Sequence, residues 1–155
     1  VLIATAEAHD DEMRARIARH QRERAARVPG LRTLEARHDL PTAIAQAGGA
    51  DTLHIVDCLT LWLTQQLMPL EDSGPNRPPA PDWRAQTALF IEAIRACPGP
   101  IVLVGNEIGL GVIPLGREVR AFVDALGTLN QQVAAACERV TLMAAGLPLT
   151  LKGPP

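Results

Sequence analysis

Three short apolar runs, "VLIAT" at the start, "TLHIVD" ending at Asp57 and "IVLVGN" ending at Asn106, constrain this chain more than any other feature. Each is of strand length and apolar on both faces, and segments of helical periodicity lie between them. Strands that alternate with helices in this way predict an α/β fold: a mostly parallel sheet flanked by helices. Aromatic residues make up only 3% of the chain and tyrosine is absent, so the core is expected to be aliphatic, built from Ala, Val, Ile and Leu. The 155 residues suffice for one domain with a real core, so 1–155 is expected to be a single α/β domain.

The remaining elements follow from local signals. A helix is expected over 10–27, ended by "VPG", then an extended stretch or short strand in "LRTLEA" and a short helix in "PTAIAQA". "LTLWLTQQL" reads as a helix, the Pro- and Gly-rich stretch from Pro69 to Pro81 as a loop, and "WRAQTALFIEAIRA" as a helix capped by Asp82. After the third strand come a glycine-rich loop, "EIGLGVIPLG", a long helix, a strand "RVTLMAA", a turn and "LTLK". The net charge of −2 argues against a dedicated nucleic-acid binder. Cys58, Cys97 and Cys137 fit neither a disulfide framework nor a zinc pattern, and suggest inert thiols in a reducing compartment. With no signal peptide and no membrane-length apolar run, a cytoplasmic protein without a membrane span is expected.

Ligands of open α/β sheets bind beyond the carboxyl ends of the strands, which selects three places. The first follows "VLIAT". Asp10, Asp11 and Glu12 suit the opening turn of a helix, and Met13, Ile17 and His20 then fall on one stripe. Arg16 and Arg24 stand one turn either side of His20, so a phosphate reaching that imidazole would meet guanidinium groups on both flanks. The alternative is a half-buried histidine on an arginine-rich solvated face. The second place is Asp57, which can serve as a metal-side carboxylate or as the N-cap of the next helix. The third is "GNEIGLGVIPLGR", where Asn106 and Glu107 are delivered at a strand end within a flexible, glycine-rich loop. On the long helix, Arg120 and Asp124 have the spacing of a surface ion pair, and Asn130 and Gln131 are polar positions that could meet a ligand or another subunit.

Taken together, "IATA…DDEM…RI..H…R", "RT.E", "VDCLTLWL", "NEIGLGVIP…R…F.D..G.LN" and "GLPL.LK" resemble the bifunctional adenosylcobinamide kinase and adenosylcobinamide-phosphate guanylyltransferase family of cobalamin biosynthesis, from Leu2 to Lys152. The resemblance implies a RecA-like P-loop NTPase fold assembled as a homotrimer. It implies ATP and GTP as substrates with Mg2+, adenosylcobinamide and its phosphate as acceptors, and adenosylcobinamide-GDP as the product. His20 matches the family's guanylylated histidine, whereas His9 does not match it. The family's GTP contacts would fall on Ala4, Thr5 and Ala6, on Gln21, Arg22, Glu23 and Arg24, on Glu35 and on Asp57, the last beside Mg2+. Asn106, Glu107 and Arg117 match its "NE.G…P..R" loop, a candidate substrate or phosphate loop.

Three departures from the family pattern stand out. Family members carry a strand, a "GGxxSGKS" phosphate loop and a helix ahead of the position of Val1, and kinase activity needs that loop. The uncapped opening strand leads us to expect such a segment upstream. Leu31 stands where the family usually has tryptophan, and Val123 where it usually has arginine. The competing expectation is a non-catalytic relative that binds nucleotide or corrinoid and serves in assembly.

Overall fold

A computed structural model describes residues 1–8, 10–36, 39–68 and 82–154. His9 and the expected loop from Pro69 to Pro81 lie outside the described residues. The elements run β1 (Leu2–Ala4), α1 (Asp11–Arg27), β2 (Thr33–Glu35), α2 (Leu40–Gln46), β3 (His54–Asp57), α3 (Leu59–Leu67), α4 (Trp83–Ala96), β4 (Ile101–Val104), α5 (Arg117–Ala136), β5 (Val140–Ala144) and β6 (Leu147–Lys152). They form two compact units, Val1–Asn106 and Glu107–Pro155.

Local chemistry explains where the helices begin. The Asp10 carboxylate accepts from the Met13 amide at 2.7 Å, and Asp11 and Glu12 face the amide dipole of the first turn. Asp39 caps α2 through Thr42 N at 3.0 Å, with Pro41 in the opening turn where no amide is missed. Asp82 caps α4 through Arg84 N at 3.1 Å, as expected from sequence.

In the first unit β1, β2, β3 and β4 form a parallel sheet in the order β2-β1-β3-β4. The chain leaves β1 for β2 on one side, then returns to β3 on the other side and continues outward to β4. The connections therefore diverge between β1 and β3, which makes that gap the topological switch point. The core packs Ile3 and Val56 of the sheet with Leu40, Ile44, Leu63 and Phe90 of the helices, all essentially without exposure. Trp62 and Phe90 meet with ring centroids 5.1 Å apart, so two of the four aromatic residues sit at the centre of an otherwise aliphatic core.

At the amino end of the sheet, the Pro98–Pro100 turn lies against the 49–52 turn. Pro100 O accepts from His54 N at 2.8 Å, and a Cβ on Gly99 would run into the carbonyl oxygens of Thr52 and Gly49. The approach requires glycine.

The second unit holds the glycine-rich stretch, α5 and a two-stranded antiparallel sheet of β5 and β6. The last two strands thus pair with each other through the tight Ala145–Gly146 turn, where both residues have positive φ. α5 buries Ala125, Leu126, Leu129 and Val133 along one stripe. Its C-terminal carbonyls are closed by Lys152, whose ammonium donates to Ala134 O, Ala135 O and Cys137 O at 2.8, 3.2 and 2.6 Å. No helix among the described residues is long and apolar enough to cross a membrane.

Phe90 fills the space against Trp62, so Phe90→Ala is expected to cost about 3–5 kcal/mol of stability in chemical denaturation, through the cavity it leaves.

Candidate functional site

The sheet brings separated residues into one row. Ala4 of β1 is in register with both Glu35 of β2 and Asp57 of β3, and Asp57 is in register with Val104 of β4. Thr5 and Ala6 lie just beyond that row, and Asn106 two residues past Val104. The row is the carboxyl end of the sheet and spans the switch point between β1 and β3.

Hydrogen bonds weld the two strands there. Thr5 is fully buried; its amide donates to Asp57 O at 3.1 Å, and its hydroxyl donates to Cys58 O at 2.7 Å while accepting from Cys58 N at 2.8 Å. Gln65 Nε2 donates to Thr5 O at 2.5 Å. Every polar group of Thr5 is engaged internally, so this residue shapes the site rather than lining it. The peptide between Asp57 and Cys58 is cis. Asp57 is not a helix cap: Cys58 occupies the N-cap position of α3, which leaves the Asp57 carboxylate, 40% exposed, available to the site.

α1 supplies the other wall. It buries no residue fully, and Met13, Ile17, His20 and Arg24 form its half-buried stripe, as the spacing requires. At the end of that stripe, Arg24 Nη2 donates to Asp57 Oδ2 at 3.2 Å, bridging α1 to the switch point. One turn earlier on the stripe, His20 directs Nδ1 toward Glu23 Oε2 at 3.5 Å and remains 42% exposed. Arg16, Gln21, Arg22 and Glu23 are exposed on the same helix, and Glu35 is exposed at the end of β2. His54, by contrast, is wholly buried at the opposite end of β3.

Burial pushes the Cys58 thiol up from its ordinary range; the Asp57 charge adds to this, while amides of the α3 N-terminus oppose it. The thiol beside Asp57 is therefore protonated at neutral pH and adds no charge to the site. All three cysteines are free; Cys58 is buried, whereas Cys97 and Cys137 are partly accessible.

The matched loop residues divide between the units. In the first, Asn106 donates from both its backbone N and its Nδ2 to Thr60 Oγ1, at 3.0 and 3.1 Å. In the second, Glu107 accepts from Gly109 N and Asn130 Nδ2, each at 3.2 Å. The expected Arg120–Asp124 pair gives way to another contact: Arg120 Nη1 donates to Pro114 O and Leu115 O at 2.9 and 2.5 Å, bracing the glycine-rich loop. Arg117 stands exposed at the first position of α5.

The sequence matches the family described as "Cobinamide kinase / cobinamide phosphate guanyltransferase" over residues 1–151. The chain belongs to this family. It is 45% identical to the bifunctional adenosylcobalamin biosynthesis protein CobP of Pseudomonas aeruginosa over 153 residues, covering 99% of this chain and 82% of that protein. The corresponding CobU proteins of Salmonella typhimurium and Escherichia coli are 36% and 34% identical, each over 97% of this chain and 84% of their own length. The family has a P-loop NTPase-like fold, in keeping with the parallel sheet and its flanking helices.

Sequence reasoning singled out no site contact at Cys58, Thr60 or Gln65, each of which the structure ties to the carboxyl end of the sheet by hydrogen bonds. All three occupy the start of α3 or one face of it, immediately after Asp57, and a small polar residue in a first helical turn is the signal that could have drawn attention to Thr60.

The Arg24–Asp57 pair is about a third exposed on each side, so a double-mutant cycle of Arg24→Met and Asp57→Asn is expected to give a coupling of only about 0.2–1 kcal/mol in thermal stability. A larger coupling would make the pair a structural strut rather than a set of charges available to a ligand.

Proposed function

We propose that this member of the cobinamide kinase and guanyltransferase family transfers GMP from GTP to adenosylcobinamide phosphate through His20, with the carboxyl end of the parallel sheet as its nucleotide site. The observation that carries this reading is the Arg24–Asp57 contact, which ties the helix bearing His20 to the strand ends at the switch point. Family membership brings phosphorylation of adenosylcobinamide, in cobalamin biosynthesis, as the companion activity.

The chemistry follows from the imidazole's surroundings. Glu23, facing Nδ1, favours the tautomer with its proton on Nδ1, so Nε2 carries the free lone pair. Nε2 attacks the α-phosphorus of GTP; a P–N bond forms, the bond to the bridging oxygen breaks, and pyrophosphate leaves with the electron pair. A phosphate oxygen of adenosylcobinamide phosphate then attacks the same phosphorus, the P–N bond breaks, and the imidazole returns to its starting state. Arg24, with exposed Arg16 and Arg22, offers positive charge to the phosphoryl oxygens as negative charge builds up there. In the first unit, Ala4, Ala6, Gln21 and Glu35 are further proposed nucleotide contacts and Asn106 a proposed substrate or phosphate contact; in the second unit, Glu107 and Arg117 are proposed substrate or phosphate contacts.

Among the described residues no cluster of three or more metal-ligating side chains is present. A lone half-exposed carboxylate nevertheless suits Mg2+ that arrives with a triphosphate, because this ion takes one or two protein carboxylates and fills its other positions with phosphate oxygens and water. Asp57 would hold it; when bound, the ion neutralises charge on the phosphates. A homotrimer in the cytoplasm completes the reading. The exposed apolar side chains Leu110, Val112, Ile113 and Leu115 are consistent with a chain that is covered in an assembly.

Incubation of the intact protein with GTP and Mg2+ is expected to add the mass of one GMP, and His20→Ala is expected to stay unmodified while its fold is retained. An adduct that persists in His20→Ala would move the nucleophile elsewhere.

A further inference from the structure

Thr60 lies in the first turn of α3, three residues after Asp57. A hydroxyl has two lone pairs and one proton. Both acceptor positions of Thr60 Oγ1 are filled by Asn106, whose backbone N and Nδ2 donate to it at 3.0 and 3.1 Å. What remains is a donor, sharpened by the two N–H groups that polarise its oxygen. Thr60 is only half-buried, so its hydroxyl is not sealed in the core. The first unit therefore presents, at the carboxyl end of its sheet, an O–H oriented by Asn106 and three residues along the chain from the Asp57 carboxylate.

We propose that Thr60 donates a hydrogen bond to a phosphoryl oxygen of the bound nucleoside triphosphate. The inference rests on the nucleotide site proposed above and adds a phosphate-contacting residue to it. Asn106 then has a positioning role besides the loop contact proposed for it: by filling both acceptor sites, it turns the hydroxyl proton outward. The ligand class is a phosphate ester or anhydride, because a donor-only hydroxyl gains most from an anionic oxygen.

Equilibrium binding of GTP and of guanosine to the full-length protein tests this, with Thr60→Val and Thr60→Ser compared to the unaltered protein. Thr60→Val is expected to weaken GTP about tenfold or more while guanosine stays within about twofold, and Thr60→Ser is expected to keep both near their original values. Should the valine variant fail to fold, Thr60→Ala serves in its place. Unchanged GTP affinity in the variant without the hydroxyl would overturn the proposal. So would equal weakening of GTP and guanosine, or loss in Thr60→Ser as large as in Thr60→Val, since each marks a purely structural role. A phosphate-selective loss at Thr60 in a protein that never acquires GMP on His20 would retain the phosphate contact and reject the guanylyl-transfer reading, so the two ideas fail separately.

Discussion

The reciprocal pair between the Thr5 hydroxyl and the backbone of Cys58 is the interaction on which the rest of this site depends. It lies where β1 and β3 end, at the one place in the sheet from which connections depart in opposite directions. Because Thr5 is wholly out of water, neither partner can exchange its bond for solvent, and breaking one would leave a buried polar group unmatched. The direction of the Asp57 carboxylate, the first turn of α3 and hence the position of Thr60 are all inherited from this junction. Gln65 extends it by holding the Thr5 carbonyl from one face of α3.

Around that rigid junction the site is built from softer parts. α1 buries no side chain completely and meets the strand ends through Arg24, a long side chain on a half-buried stripe. The contrast is one of anchoring: the backbone leading from Asp57 into α3 is held by the buried bonds of Thr5, while His20 rides on a helix whose contacts are few and partly solvated. Local stability varies in this way within many proteins, and segments that move with a ligand come from its lower end. The neutral thiol of Cys58 leaves Asp57 and Arg24 as an opposed pair of charges at the switch point.

Much of this was legible in the residues themselves. The boundaries of α4 follow from its cap and its periodicity, and the stripe holding His20 follows from 3.6-residue spacing alone. The carboxyl-end rule picked out Asp57 and Asn106 before any register was known. Other features were hidden for identifiable reasons. Cysteine is a poor predictor of an N-cap, so the sequence alone allows Asp57 that place, and only the observed position of Cys58 frees it. Arg120 has an acid one turn away, yet two adjacent carbonyls offer its guanidinium a better match than one exposed carboxylate. β5 and β6 read as ordinary strands of an α/β chain, and their antiparallel pairing comes from a turn that places Ala145 and Gly146 at positive φ. Thr60 sits inside the "VDCLTLWL" stretch with nothing to single it out; the contact that sets it apart is with Asn106, 46 residues away.

The close approach at Gly99 has a consequence for anyone who wishes to alter this protein. Backbone packs on backbone there, with no side chain to yield, so an inserted residue or an attached probe at 98–100 would pry the 49–52 turn away and drag the start of β3 with it. β3 is only four residues long, about 13 Å from end to end, and the carboxylate at its far end would feel the displacement. The amino end of the sheet, away from the Asp57 carboxylate, is therefore the less forgiving place to engineer, and tags or fluorophores belong on the solvated face of α4 instead.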